Sequence, residues 1–182
     1  MNDMYSEKLV RRSPSGKIIA LKLAIACVTM LLGYIVFFIF CSSMSLIGFM
    51  PAAVAAIIFL GWKAFTFFNV EYEYTVTNGS IDVDKIVARK SRKQLVSVSA
   101  KNIEILAPYT KEYMPKYEEG TFTATIDARS SEKSEGWFVV GQSKTGRVRI
   151  LFEPSERMLY IFERNIPLHM PVRPQIDEKY IL

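Results

Sequence analysis

A basic cluster between two predicted β-strands holds the side chains best suited to bind a ligand. It lies in the sequence DKIVARKSRKQLV and consists of Lys85, Arg89, Lys90, Arg92 and Lys93. Ammonium and guanidinium groups bind the phosphates of lipid headgroups or nucleic acids, and at a hairpin tip they also keep a strand edge soluble. The cluster lacks the interleaved aromatic residues on which nucleic-acid bases stack. The sequence therefore predicts either a solvated tip or a contact with anionic lipid headgroups, and no nucleic-acid partner.

Residue types that could catalyse a reaction or hold a metal are sparse. His169 is the only histidine, and a Ser–His or metal-binding constellation would have to recruit it from a proline-rich segment. Asp82 and Asp84 share one side of a predicted strand without a third convergent carboxylate. Cys27 and Cys41 lie about 21 Å apart along one predicted helix, too far for a disulfide. We predict that the protein is not an enzyme and has no catalytic residue, cofactor or metal.

Three tyrosines four residues apart form a possible aromatic patch. Tyr109, Tyr113 and Tyr117 lie in the sequence APYTKEYMPKYEEG. One helical turn would align their rings into a surface that binds a partner or dips into a membrane. Alternatively, the rings cover the mouth of a β-barrel as ordinary packing.

Two uncharged apolar runs, residues 23–41 and 44–62, lie close together near the N-terminus. Each would form a helix of about 28 Å, which matches the hydrocarbon core of a bilayer. We predict a transmembrane helical hairpin over residues 23–62. The basic residues that flank it place both termini in the cytoplasm of a cell whose plasma membrane the hairpin crosses. These residues are Lys8, Arg11, Arg12, Lys17, Lys22 and Lys63.

Small residues in the second run, Gly48, Ala52 and Ala56, allow the close approach of another helix. They would pack the two spans together, or pack the hairpin against a second copy or another membrane protein. The sequence does not separate these alternatives.

Residues 69–167 are predicted to form one cytoplasmic domain. Hydrophobic residues alternate in VEYEYTV, the dipeptide Asn78-Gly79 predicts a tight hairpin, and further strands follow up to Glu153. The sequence EPSERMLYIFERNI then has an apolar stripe at helical spacing. Residues 1–22 form a basic N-terminal segment with a short helix after Asn2 or Asp3, and residues 168–182 form a tail. This order is typical of a PH-like α+β domain: an antiparallel sheet or barrel of about six to seven strands, capped by a C-terminal amphipathic helix.

Three stretches carry a resemblance to a known family: NVEYEYTVTNGSIDVDKI, NIEILAPY and RILFEPSERMLYIFERNIP. With them, the chain resembles an uncharacterised family of bacterial two-span membrane proteins with a PH-like cytoplasmic domain. The resemblance supports the architecture, but the family carries no assigned activity and fold alone does not imply function.

Together these patterns predict a membrane-anchored binding or scaffolding module at the inner membrane surface. Its partner would be a protein, an anionic lipid headgroup or both, and a homo-oligomer is also compatible with the sequence. The alternative is an accessory subunit of a transporter or membrane enzyme that partners through its transmembrane spans.

Overall fold

The structure is a computed structural model, and it describes residues 4–42, 45–110 and 121–166. The chain divides into two compact units. One consists of Met1–Arg12 together with Glu71–Leu182, and the other of Ser13–Val70. The second unit is therefore an insertion in the chain of the first.

The inserted unit contains two long helices, α1 (Gly16–Cys41) and α2 (Met50–Phe67), with a short 3₁₀ helix at Ile47–Phe49 before α2. Both helices are long and apolar enough to cross a membrane. Neither has a buried residue, and Met30 on α1 is 79% exposed. A core helix of a soluble protein would instead bury an apolar face against its neighbours.

The two helices approach each other closely at Gly61. A Cβ atom at this position would lie 2.6 Å from Oγ1 of Thr29. The Thr29 hydroxyl donates a hydrogen bond to the carbonyl of Ile25 at 2.8 Å, which satisfies this polar group within its own helix. A larger residue at this position would therefore displace the Thr29 side chain where α2 crosses α1.

The first sheet of the other unit has four strands in the order β1-β2-β3-β4. They are β1 (Tyr5–Arg11), β2 (Val70–Thr77), β3 (Ser80–Val87) and β4 (Ser91–Val98). Asn78 and Gly79 both have positive φ, 49° and 77°, which confirms the predicted tight turn. The β3–β4 register shifts between Val83 and Asp84.

The predicted helix at the N-terminus is wrong, because the same residues form β1. Ser6 and Val10 are buried on one face of β1, whereas Tyr5 and Leu9 on the other face are exposed. Antiparallel pairing with β2 runs from Tyr5 opposite Thr77 to Arg11 opposite Glu71. The open edge of β2 offers backbone hydrogen bonds and an apolar face, and these override a weak local preference for helix. The PH-like unit thus includes a strand that the predicted boundaries of 69–167 leave out.

The strand pairing defines how the helices are connected to the sheet. Arg11 at the end of β1 lies opposite Glu71 near the start of β2. Residues 12–15 connect β1 to α1, and residues 68–69 connect α2 to β2. The two-helix hairpin therefore occupies the place of an ordinary turn between two adjacent antiparallel strands.

The second sheet has the order β5-β7-β8-β6. Its strands are β5 (Ile103–Pro108), β6 (Ala124–Asp127), β7 (Trp137–Ser143) and β8 (Gly146–Phe152). The described residues thus form eight strands rather than six to seven. The sheet is not purely antiparallel, because β6 pairs with β8 in parallel. A 3₁₀ turn at Ala100–Asn102 separates β4 from β5, and the two strands lie in different sheets.

The C-terminal helix α3 (Glu156–Asn165) closes the core. Ser155 caps it by accepting a hydrogen bond from the backbone N–H of Met158 at 3.3 Å. Phe162 of α3 meets Phe152 edge to face, with ring centroids 6.2 Å apart. Phe152 meets Tyr74 of β2 in the same way at 5.7 Å. This row of rings joins the helix to both sheets.

The insertion predicts that the PH-like unit folds without the helices but not without β1. Joining Arg12 to Val70 through Asn-Gly deletes the hairpin and supplies a two-residue β-turn. We expect this fused domain to unfold cooperatively in urea. A matched chain of residues 70–182 loses the buried Val10 and the pairing of β2, so its free energy of unfolding should fall by about 3 kcal/mol or more. Equal unfolding midpoints for the two chains would contradict the assignment of β1.

Candidate functional site: the basic tip of the β3–β4 hairpin

The tip of the β3–β4 hairpin has a backbone conformation that its residues do not favour. Ala88 and Arg89 have φ of 54° and 57°, and the N–H of Lys90 closes the turn on the carbonyl of Val87 at 3.1 Å. Non-glycine residues in this left-handed region cost about 1 kcal/mol or more each. Side-chain interactions with residues outside the turn must therefore stabilise this backbone conformation.

The two arginines of the basic cluster provide such interactions. Arg89 lies 3.3 Å from Glu71, and Arg92 bridges Glu73 and Asp84, with Nε 3.0 Å from Asp84 Oδ2. The side chains of Glu71 and Glu73 are only 8% and 9% exposed. A carboxylate with so little contact to water needs a cationic partner. Arg89 and Arg92 therefore neutralise the outer face of β2.

The three lysines of the cluster have no such role. Lys85 lies directly opposite Lys93 across the β3–β4 pair, and Lys90 lies in the exposed turn. None of the three forms an ion pair with any residue in the described part of the chain. Like charges directly opposite each other repel. A bound anion would relieve this repulsion.

The carboxylates beside the tip complete a polar sheet face. Burial, and then the charge of Asp82, raise the pKa of Asp84 above its ordinary value. The amide of Gln94 donates to Asp82 at 3.4 Å. Among residues 4–42, 45–110 and 121–166, no three histidine, cysteine, aspartate or glutamate side chains are grouped to hold a metal ion. His169 lies outside the described residues.

A second candidate region is a cleft of about 610 Å³ beside the start of α3. Tyr109 and Trp137 line it, and the guanidinium of Arg129 lies 4.6 Å from the Tyr109 ring centroid. Trp137 is partly buried and packs against the hydrophobic core. The other two members of the predicted aromatic patch, Tyr113 and Tyr117, lie outside the described residues.

A hydrogen-bond network supports the floor of this cleft. Glu153 accepts bonds from the backbone N–H and the hydroxyl of Ser130, both at 2.8 Å, and from the Ser134 hydroxyl. Burial alone would raise the pKa of Glu153, but these hydrogen bonds outweigh it and lower the pKa below its usual value. Glu153 is therefore held ionised inside the domain.

Two cations bind the nearby Asp127. Arg129 meets both carboxylate oxygens at 3.0 Å, and Arg12, just after β1, lies 3.4 Å from Oδ1. Arg12 also donates to the carbonyl of Arg129 at 3.0 Å. Burial opposes ionisation of Asp127, but the Arg129 contacts outweigh it and lower the pKa. In the sequence, Arg12 stands out only as one of the basic residues that flank the apolar runs. Its proximity to Asp127 depends on contacts between distant parts of the chain.

Comparison with known protein families finds a match that covers most of the chain. Residues 2–170 match a family described as "Bacterial PH-like domain (DUF6106)". The chain belongs to this family. No curated protein and no solved structure matches the chain significantly.

In this member of the PH-like family, the predicted small-residue surface of Gly48, Ala52 and Ala56 does not pack the hairpin together. Ala52 and Ala56 are exposed, and no atom lies within 4 Å of a Cβ placed on Gly48. The close contact between the helices is at Gly61 instead. Of the alternatives drawn from the sequence, packing against another molecule remains a prediction.

The lowered pKa of Glu153 predicts an acid-dependent loss of stability. A carboxyl group whose pKa is lower in the folded state stabilises the fold above its unfolded pKa, and this contribution disappears as the pH falls through the folded value. Ser134→Ala removes one donor and should reduce the difference in unfolding free energy between pH 7 and about pH 3. Urea denaturation of the fused domain, with and without Ser134→Ala, at both pH values measures this difference. Ser97→Ala, at an exposed serine of β4, is the control; a Ser134→Ala difference equal to that of the control would refute the role of Glu153.

Proposed function

We propose that the protein is a non-catalytic binding module of the bacterial plasma membrane, anchored by α1 and α2. Its termini lie in the cytoplasm, and Lys85, Lys90 and Lys93 contact anionic lipid headgroups. The observation that carries this proposal is the division of the basic cluster. Its arginines are paired with carboxylates, whereas its lysines have no ionic partner among the described residues.

Exposure of the helices supports the anchoring. Within the described part of the chain neither helix has a buried residue, and water would hydrate their apolar side chains unfavourably. A bilayer supplies the missing apolar surroundings. The basic flanks support the orientation with cytoplasmic termini.

Chain connectivity supports the contact of the tip with the membrane. Glu71, the partner of Arg89, follows the last residue of α2, Phe67, by four positions. An extended chain of this length spans at most about 14 Å. Near an anionic leaflet each lysine contributes about 1 kcal/mol. Three lysines on an anchored domain then suffice, because the anchor supplies a high local concentration.

Vesicle binding of the fused domain tests the proposal after its folding has been verified. We expect sedimentation with phosphatidylglycerol-containing vesicles at low salt, and none with pure phosphatidylcholine. Changing Lys85, Lys90 and Lys93 to serine should weaken binding by about 100-fold, at ~1 kcal/mol for each charge. The free energy of unfolding of this variant should differ little from that of the unchanged domain, because the three lysines form no ion pair in the described part of the chain.

The arginine pair provides the matched control. Arg89→Ser with Arg92→Ser removes two charges from the same tip but leaves Glu71 and Glu73 without partners, so it should destabilise the domain by about 1–2 kcal/mol. It should weaken vesicle binding less than the lysine changes do. Loss of binding in the arginine variant alone, or no binding by the unchanged domain, would refute headgroup contact by the lysines.

A second candidate function is that of an accessory subunit in a membrane complex. The exposed row of Gly48, Ala52 and Ala56 supports it, because small residues allow a partner helix to approach closely. In that case the PH-like unit would not bind vesicles, and the protein would associate with its partner only through the membrane-spanning helices.

A further inference from the structure

The cleft beside α3 contains a lysine that the proposed membrane contact does not use. Lys8 follows buried Ser6 and precedes buried Val10 on the inward face of β1, and it is itself half-buried. It lines the cleft together with Tyr109, Trp137 and Pro154. The charge of Lys8 helps to lower the pKa of Glu153, but in the described part of the chain its ammonium group forms no close ion pair and no side-chain hydrogen bond. The cleft therefore has aromatic walls and a lysine whose hydrogen-bond donors are available to a ligand.

These features fit an extended proline-rich segment. Such segments bind in aromatic-lined grooves because the polyproline conformation is preformed and loses little entropy on binding. The backbone carbonyl groups of a bound proline-rich segment accept hydrogen bonds from donors such as a lysine. Glu135 and Glu153 also line the cleft, so with Lys8 its formal charge is negative. A segment with a basic residue complements this charge.

The chain itself supplies such a segment directly after α3. The sequence from 167 to 174 is PLHMPVRP, with three prolines and Arg173. Pro154 lines the cleft at the start of α3, and the helix carries the chain about 18 Å away by Ile166. A polyproline segment returns about 3.1 Å per residue, so about six residues cover this distance. Pro171 and Pro174 would then reach the cleft.

We propose that residues 167–174 of the same chain bind in the cleft between Tyr109 and Trp137. Tethering places the segment at an effective concentration of about 1 mM, so even a weak contact is substantially occupied. Any other proline-rich ligand must then compete with this segment.

Quenching of Trp137 fluorescence by acrylamide tests the proposal in the full-length chain. Because the protein has two tryptophans, Trp62→Phe leaves Trp137 as the only emitter. The protein is placed in phosphatidylcholine nanodiscs and compared with the same chain ending at Leu168. If the tethered segment fills the cleft in about half or more of the molecules, it shields Trp137 from acrylamide in that fraction. Removing the segment should then raise the quenching constant about twofold. A synthetic peptide of residues 167–176, added at about 1 mM, should restore protection.

Two proline substitutions provide the matched control without shortening the chain. Pro171→Ala with Pro174→Ala keeps length and charge, and it should raise quenching in the full-length protein as truncation does. A peptide with the same two changes should give no protection. Equal quenching of the complete and shortened chains, failure of the peptide to protect, or equal protection by the alanine peptide would each overturn the proposal.

Discussion

The antiparallel pairing of β1 with β2 is the interaction on which the rest of the structure depends. It closes the first sheet with residues that precede the helices in the chain, and it brings the two ends of the helical hairpin to adjacent strands. Arg12, which follows β1, then binds the Asp127 carboxylate and the carbonyl of Arg129 in the second half of the domain. The N-terminal residues are therefore part of the folded core. The chain enters the helical insertion from β1 and returns from it to β2.

Charge is divided within the domain according to burial. Two carboxylates on β2 are almost out of contact with water, and each takes an arginine from the neighbouring hairpin as its partner. Desolvated carboxylates are costly without such a partner, so these arginines contribute to the fold first. The lysines of the same hairpin remain for a ligand, and two of them lie directly opposite each other. Counting basic residues along the sequence treats all five as equivalent. The partners on β2 distinguish them.

Some elements could be predicted because their signals are local. Asn78-Gly79 specifies its turn through backbone freedom, and two uncharged runs specify two long apolar helices. The family membership was also recognisable from short stretches of the domain. β1 could not be predicted in this way, because its only signal is the weak alternation of Ser6, Lys8 and Val10, and its partner lies beyond the helical insertion. The parallel β6–β8 pair and the pairing of Arg92 with Glu73 and Asp84 likewise depend on contacts between distant parts of the chain.

The pairing of β1 with β2 across the helical insertion can be measured directly in the chain that contains both long helices. Glu7 and Thr75 are opposite each other in this pairing, and cysteines at such positions are close enough to oxidise to a disulfide. With Cys27 and Cys41 changed to serine, Glu7→Cys combined with Thr75→Cys should cross-link within one chain under mild oxidation. Glu7→Cys combined with Asp82→Cys, about two strand spacings or ~10 Å away, should not. Equal yields from the two pairs, or no cross-link in either, would show that β1 does not pair with β2 in this register.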